Sequence, residues 1–435
     1  MLDLSKTTLG SERIKDYEVE DGVILLNLDA VRWCVVTKEE YDFYNDLKKK
    51  GKTLIEDKDL ENIAKKLLVR GIINYKSNDE KELEIEKNTL SVYFEPIPFC
   101  NLHCVYCYAG AELPSKIIYN TEETKKILDK VISYPKVRNI VFTGGEPLLR
   151  GDTLDLAEYV REKGKGAAIL TNGTLINEEN VERFKVFNDG ITISLDGHIA
   201  EINDKTRGLG SYNKIIKGIK LLNKAGIEVR ITTVISKTNK DYIKEIMEFV
   251  KNDLGVSKHN MSTHISMGRG AEENLECSTE EVLRYREEYF TEICRRSRQE
   301  MISFLRPNLK QGQLRNCCGA GCTELFVKDN GEVYPCRLLV DTSFYLGNIK
   351  ENLLDSILES KKIVDLRNNF NVNRIAVCKH CLYKNLCGGG CRSTHSAYTG
   401  DLYTSDTNLC KILKSELDSA IMIDCGYEPI TRRKL

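Results

Sequence analysis

Three cysteines, Cys100, Cys104 and Cys107, stand at intervals of four and three residues in the stretch PFCNLHCVYCYAG (98–110). Two metal chemistries fit that spacing. A structural zinc ion closes with four ligands, commonly as paired C-x-x-C units; here only Cys104 and Cys107 form such a pair, with His103 inside the loop as a possible fourth donor. An iron–sulfur cube fits as well, because three thiolates hold three irons and leave the fourth open to a small ligand. An open iron is a reaction site. One predicted strand further on, FTGGEP (142–147) offers two glycines for close backbone approach to a ligand and a glutamate, Glu146, placed to meet an amine.

A second constellation lies near the C-terminus. Cys378, Cys381, Cys387 and Cys391 form C-x-x-C-x5-C-x-x-x-C, with Cys410 beyond, and upstream CCGAGCTELFVKDNGEVYPC runs from Cys317 to Cys336. Of 16 cysteines in 435 residues, only Cys34, Cys277, Cys294 and Cys425 stand outside these groups. Clustering of this kind is what a ligand set looks like, and a zinc ribbon is the structural alternative for the C-terminal group. The four outliers read as buried apolar filler, Trp33 as core, and His264 and His395 as locally satisfied side chains.

These residues need elements to position them. From 91 to about 305, apolar runs alternate with amphipathic stretches: SVYFEP (91–96), NIVFTG (139–144), AAILTNG (167–173), ITISLDG (191–197), VRITTVIS (229–236) and a weaker HISMG (264–268). Helical patterns such as TEETKKILDKVIS and TNKDYIKEIMEFVKN lie between them. Six βα units in succession predict an α/β fold, a partial (β/α)6 TIM-like barrel whose chemistry sits at the C-terminal strand ends. Residues 17–76 read as a small α+β module. GVILLN (22–27) and VRWCVV (31–36) make a hairpin, Thr37 opens a helix with capping-box chemistry, and DLENIAKKLLVRG ends a second helix at Gly71 before the short strand or wing IINY. The polar stretch KSNDEKELEIEKN (76–88) reads as a linker, so the expected boundaries are 1–78, a linker at 79–90, 91–305 and 306–435. The last region loses the βα alternation and gains Cys and Gly, as a segment folded around metal would.

A net charge of -1 gives no overall basic field for nucleic acid. With no run of eighteen apolar residues and no basic-then-apolar N-terminus, the expectation is a cytoplasmic protein with neither membrane nor nucleic acid as partner.

The cysteine triplet after the first strand, Tyr106 just before its third cysteine and GGEP after the second strand together resemble the radical S-adenosylmethionine enzymes. The resemblance implies that Cys100, Cys104 and Cys107 hold a [4Fe–4S] cluster whose open iron is chelated by S-adenosylmethionine, the source of a hydrogen-abstracting 5′-deoxyadenosyl radical. It places Tyr106 near adenine, and Gly144, Gly145 and Glu146 at the methionine amine. Asn172 and Ser194 fall where similar enzymes contact the methionine carboxylate and ribose, and Arg207 would pair with that carboxylate.

The C-terminal cysteines resemble the SPASM domain of peptide-modifying radical enzymes, with two auxiliary clusters and so three [4Fe–4S] clusters in all. That resemblance implies an outer cluster on Cys378, Cys381, Cys387 and Cys410, and an inner one on Cys391, Cys336, Cys318 and Cys322, with Cys317 spare. An inner cluster without an open iron passes electrons rather than binding substrate. The N-terminal module resembles the PqqD-like recognition element, a winged-helix-like fold in which a leader peptide adds a strand. The sequence YPCR puts Arg337 where sulfatase maturases of similar architecture carry an Asp, which argues against sulfatase maturation. The expected function is leader-dependent crosslinking of a ribosomally made precursor peptide, thioether first and carbon–carbon next, with a flavodoxin- or ferredoxin-like electron donor. Oxidation of a Ser or Cys side chain is the alternative, and a non-catalytic iron–sulfur carrier or peptide adaptor is the rival of another class. No residue is assigned as the catalytic base.

Overall fold

The computed structural model describes residues 13–50, 57–75, 89–111, 120–294 and 311–429, together with two-residue strands at 2–3, 7–8 and 54–55. The linker stretch 76–88 and the expected boundary near 305 lie outside the described residues.

The N-terminal module is a three-stranded antiparallel sheet, β1 (Ile14–Val19), β2 (Gly22–Asn27) and β3 (Arg32–Val36), with β2 in the middle. Helices α1 (Lys38–Lys50) and α2 (Lys58–Val69) follow. The capping box forms as expected: Thr37 N–H donates to Glu40 Oε2 at 2.9 Å and Glu40 N–H to Thr37 Oγ1 at 3.1 Å. Val23, Leu25, Cys34 and Val36 point to the helices and meet Tyr44 and Leu67. The opposite face, with Tyr17, Leu26 and Trp33, does not face solvent. It packs on the C-terminal part of the chain, so Trp33 is an interface residue rather than core of the small module alone.

The central sheet has nine strands. Six follow one another in space as in sequence: β4 (Leu90–Glu95), β5 (Val137–Phe142), β6 (Gly166–Thr171), β7 (Gly190–Ser194), β8 (Val229–Ile235) and β9 (Lys258–Thr263), every adjacent pair parallel. Crossover helices α3 (Thr121–Ile132), α4 (Thr153–Glu162), α5 (Ala200–Arg207), α6 (Ser211–Lys224) and α7 (Ile243–Glu248) are joined by α8 (Thr279–Cys294) after the last strand. Period-two alternation divides each strand: Val92, Phe94, Ile140, Ile169, Ile193 and Ile231 pack against the helices in one apolar core. Their neighbours Tyr93, Thr192, Ser194 and Thr232 face the interior and line a cavity. The interior is therefore an open cavity rather than the packed side-chain layers that fill a closed barrel.

Two expectations need correction. The sixth strand is Lys258–Thr263, upstream of HISMG (264–268), which is the loop beyond it. This strand edges the sheet and lines the cavity, so the apolar alternation that marks the other strands is missing. The C-terminal region is also not organised by cysteine alone. Strand β10 (Glu324–Lys328) pairs in parallel with β4, in the register Phe326↔Tyr93, and β11 (Glu332–Tyr334) and β12 (Gly347–Asn348) continue the sheet antiparallel. Short helices carry the later cysteines, α9 (Ala376–Lys379), α10 (Lys384–Cys387) and α11 (Arg392–Thr399), and the long α12 (Thr407–Asp424) closes the fold. No helix among the described residues is long and apolar enough to cross a membrane.

Candidate active site and iron–sulfur centres

The first cysteine loop leaves β4 and stays zipped to the loop after β5. Gly145 N–H donates to Ile97 O at 3.2 Å and Glu146 N–H to Phe99 O at 2.7 Å. This explains the glycines differently from the sequence reading. A Cβ on Gly145 would lie 1.9 Å from Phe99 O, and one on Gly144, whose φ is +112°, 2.5 Å from Glu95 Cγ. The close approach that demands glycine is made by the cysteine loop and by β4.

A second clamp comes from the loop after β9. Arg269 donates from its backbone to Cys107 O at 3.1 Å, from Nε to Cys104 O at 3.1 Å and from Nη1 to Ala111 O at 2.8 Å. Sequence reasoning passed over Arg269. Its only signal was a Gly-Arg-Gly run extending just past the stretch read as a sixth strand.

Cys100, Cys104 and Cys107 all line the interior cavity, about 710 Å³ in volume. Burial raises the Cys104 thiol to about 11, the Arg207 charge opposing it and the other two cysteines adding to it, which places the three within electrostatic reach of one another. Tyr106, Gly144, Gly145, Asn172, Ser194 and Arg207 lie on the same wall.

Glu146 does not. Its carboxylate is buried behind the glycines, where it accepts from Thr171 Oγ1 at 2.7 Å, Asn172 N–H at 2.7 Å and Leu148 N–H at 3.1 Å. Its side chain ties the ends of β5 and β6 together rather than facing a ligand amine, and the cavity is met there by the backbone of residues 144–145. Asn172 Nδ2 reaches Asn101 Oδ1 at 2.9 Å and Cys100 Sγ at 3.7 Å, so it steadies the cysteine loop.

The residue missed altogether is Asp196, in the SLDG turn after β7. Fully buried, it meets Arg207 Nε at 2.8 Å and accepts from Thr206 Oγ1 at 3.2 Å, Val234 N–H at 2.9 Å and the Tyr106 hydroxyl. The Arg207 guanidinium also lies 5.6 Å from the centre of the Tyr106 ring. Arg207 is thus already paired, against the expectation that its charge waits for a ligand carboxylate. The pair's first effect is to fix Tyr106, which stands between Cys104 and Cys107. The signal was present as an Asp in a turn at a strand end, but Ser194 drew the attention.

His264, expected to be locally satisfied, is not. It is 2% exposed, neither ring nitrogen has a hydrogen-bond partner among the described residues, and it lines the cavity with its ring edge-on to Tyr106 at 6.3 Å. Burial holds its pKa down, with Glu276 opposing, so the imidazole is neutral. His395 is half-satisfied: Nδ1 accepts from Asp406 N–H at 3.0 Å. Cys34 is buried in β3, its thiol pushed up to about 11, and Cys277 and Cys425 pack against apolar clusters, as filler would. Cys294 ends α8, and its side chain lies outside the described residues.

The C-terminal thiols fall into two groups. Burial lifts Cys410 to about 11, with Cys387, Cys378 and Cys381 adding to the shift and Lys414 opposing it. Cys336 and Cys318 are each pushed up to about 12 by burial, and both feel Cys391. Cys317 Sγ lies 3.3 Å from Cys322 Sγ, and that hydrogen bond lowers the Cys322 pKa. Among the described residues no three Cys, His, Asp or Glu side chains converge on one metal-ion position, as a zinc ion would need. A cube places each thiolate on a different iron and does not need it, and donor sets made of thiols suit iron–sulfur chemistry.

Comparison with known proteins agrees with this geometry. Residues 94–250 match the Radical SAM superfamily and residues 317–382 match the SPASM iron–sulfur cluster-binding domain. The AdoMet-dependent heme synthase of Methanosarcina barkeri is 30% identical over 335 residues, 72% of this chain and 93% of that protein. The subtilosin biosynthesis protein AlbA of Bacillus subtilis is 30% identical over 309 residues, 69% of this chain and 66% of that one. Among solved structures, Streptococcus suis SuiB bound to S-adenosylmethionine superposes with a TM-score of 0.60 at 20% identity, covering 92% of this chain and 99% of SuiB. The chain belongs to the radical SAM superfamily, as an enzyme that joins the radical SAM fold to a SPASM iron–sulfur domain.

Proposed function

We propose that this enzyme matures a ribosomally made peptide by an intramolecular crosslink, a thioether first and a carbon–carbon bond next. On this reading Cys100, Cys104 and Cys107 hold the reactive cluster, while Cys378, Cys381, Cys387 and Cys410 hold an outer auxiliary cluster. Cys318, Cys322, Cys336 and Cys391 hold an inner one, three [4Fe–4S] clusters in all. When bound, the reactive cluster and S-adenosylmethionine supply a radical that removes a hydrogen atom from a substrate carbon.

The observation that carries the peptide reading is the N-terminal sheet. Both β1 and β3 pair only with β2 among the described residues, so two strand edges remain for a leader peptide to extend. A recognition module at 1–78 joined to a catalytic core at 91–305 and a cluster domain at 306–435 raises the local concentration of the attached core peptide. The likeness to SuiB, one of whose structures holds its precursor peptide SuiA, spans 92% of this chain and so reaches into the module; the match to heme synthase spans 72%.

Thioether formation removes two hydrogens from the peptide. One leaves as the abstracted atom, the thiol proton goes to a base as the C–S bond forms, and the remaining electron needs a one-electron acceptor, which an auxiliary cluster held by Cys318, Cys322, Cys336 and Cys391 would supply. No Asp or Glu lines the cavity among the described residues, and Arg337 lies on its wall with the guanidinium 4.8 Å from the centre of the Tyr93 ring. A carboxylate base of the sulfatase-maturase kind has no counterpart there, whereas neutral His264 is placed to accept a proton.

Anaerobically reconstituted enzyme with S-adenosylmethionine, dithionite and the precursor encoded by a neighbouring short reading frame should release 5′-deoxyadenosine and a peptide lighter by two hydrogens. An oxidised Ser or Cys aldehyde would replace crosslinking with the sulfatase-maturase reaction. Turnover of an iron porphyrin instead of peptide would replace both with heme-synthase-like chemistry. Without 5′-deoxyadenosine the protein would be an iron–sulfur carrier or adaptor.

A further inference from the structure

The loop between Cys381 and Cys387 is turned by its own backbone, Lys384 N–H donating to Cys381 O at 3.3 Å and Cys387 N–H to Tyr383 O at 2.7 Å, and it is held in addition by the N-terminal module. Arg13 Nη2 donates to the carbonyl of Cys381 at 3.2 Å and also to that of Leu382. Two residues after Cys381, the Tyr383 hydroxyl donates to Asp418 Oδ1 at 2.7 Å. Asp418 lies on α12, the helix that carries Cys410, and its carboxylate is shared with β1: Lys15 Nζ donates to Oδ2 at 2.8 Å and the Tyr17 hydroxyl to Oδ1. Below this node an apolar layer joins Tyr17, Leu26 and Trp33 of the module to Tyr383, Leu386 and Ile421, with Cys381 and Cys387 at its margin.

The module therefore meets the proposed outer centre twice, at the ligand loop and at the ligand helix. The same carboxylate, Asp418, ties both to β1.

Resting on the assignment of the outer cluster to Cys378, Cys381, Cys387 and Cys410, we propose that the N-terminal sheet is the lid of that centre. Arg13, Lys15 and Tyr17 of the module and Asp418 of α12 are positioning residues for its ligand loop. The module thus has a role besides peptide binding: it excludes water from the outer cluster and contributes to its potential. Hydrogen bonds, nearby charge and solvent exposure set iron–sulfur potentials, and residues that orient ligands are as consequential as the ligands. Arg13 brings a positive charge to Cys381, offset in part by Asp29 at 2.8 Å. A cation beside the cluster favours the reduced form, so its removal moves the potential negative.

The test uses the full chain, reconstituted anaerobically, with iron and sulfide counted per chain and midpoint potentials read by electron paramagnetic resonance. Asp418→Asn and Tyr17→Phe should lose the outer cluster in part, up to about four irons per chain, or shift its signal. Arg13→Gln should keep its iron and show the outer signal at a more negative potential. Tyr427→Phe is the control, because Tyr427 bonds Asp21 across the same interface away from the ligand loop; it should match the parent. Wild-type iron and potentials in Asp418→Asn, Tyr17→Phe and Arg13→Gln would overturn the proposal, as would an equal shift in Tyr427→Phe. If Cys410→Ala leaves the iron count unchanged, the outer-cluster assignment itself is wrong, and the proposal goes with it.

Discussion

Replacing Asp196 by alanine tests the claim that one buried carboxylate organises the reactive cavity. Asp196 is fully buried and Arg207 is 5% exposed, so removing the acid strands a guanidinium with no anion at 2.8 Å and little water to replace it. Breaking a buried ion pair from one side costs about 3–5 kcal/mol. Tyr106 and Val234 lose an acceptor as well. For a cooperative unit of roughly 150–250 residues, 1 kcal/mol moves the melting temperature about 2–4 °C, which places the expected drop at about 6–20 °C. Differential scanning fluorimetry of the anaerobic protein reads this directly. Asp196→Ala combined with Arg207→Met should melt above Asp196→Ala alone, because the second change removes the uncompensated charge. Melting of the single variant within about 2 °C of the parent, or a double variant no more stable than the single, would show that the pair does not bear this load.

Three further outcomes follow from the same geometry. Burial, opposed by Lys328 and reinforced by Asp329 and Glu332, pushes Glu95 up to about 7, and its Oε1 has no hydrogen-bond partner among the described residues. A carboxyl more basic in the folded chain than in the unfolded one makes stability fall as pH rises from about 4.5 to 7. Glu95→Gln should thus exceed the parent by up to about 3 kcal/mol at pH 8 and converge with it near pH 5; a constant difference in urea melts across that range would refute the assignment. Gly145→Ala drives a methyl into the Phe99 carbonyl, a backbone atom that cannot swing aside, so reconstituted protein should lose the iron of the first cluster at a stability cost of about 2–3 kcal/mol, and full iron loading would contradict this. With Cys317 and Cys322 in contact, Cys322→Ala should remove about four irons per chain while Cys317→Ala keeps them; the reverse result would exchange the two roles.

Much of the fold was legible because its strands obey one rule. Val92, Phe94, Ile191 and Ile193 alternate with smaller or polar residues, and each such run became a strand. Lys258–Thr263 escaped because an edge strand lining an open cavity, none of whose side chains is fully buried, has no apolar face to display. The hairpin of β10 and β11 carried a turn signal, Asp329-Asn330-Gly331, that went unused beside the more conspicuous cysteines. In the site, residue types that bind metal announce themselves, so the thiols stood out as candidates. The carboxylates of Glu146 and Asp196 were misassigned or missed because their work is internal, and which partner a buried acid selects depends on contacts far apart in sequence.

The extension of the central sheet by β10 bears on how the two halves of the enzyme communicate. Register sets Tyr93 beside Phe326, so the interior face of β4 continues into the C-terminal strands. After β11 the chain turns at Pro335 and Cys336, and the next two residues, Arg337 and Leu338, become part of the cavity wall. The guanidinium of Arg337 over the ring of Tyr93 is a direct contact between the strand that launches the first cysteine loop and the segment that carries Cys336. The Cys336 loop therefore borders the cavity through the two residues that follow the thiol. On the proposed assignment of Cys336 to an inner cluster, that proximity suits electron uptake, and it comes from strand pairing rather than from the cysteine spacing: it is β10 that brings the Cys336 loop to the cavity.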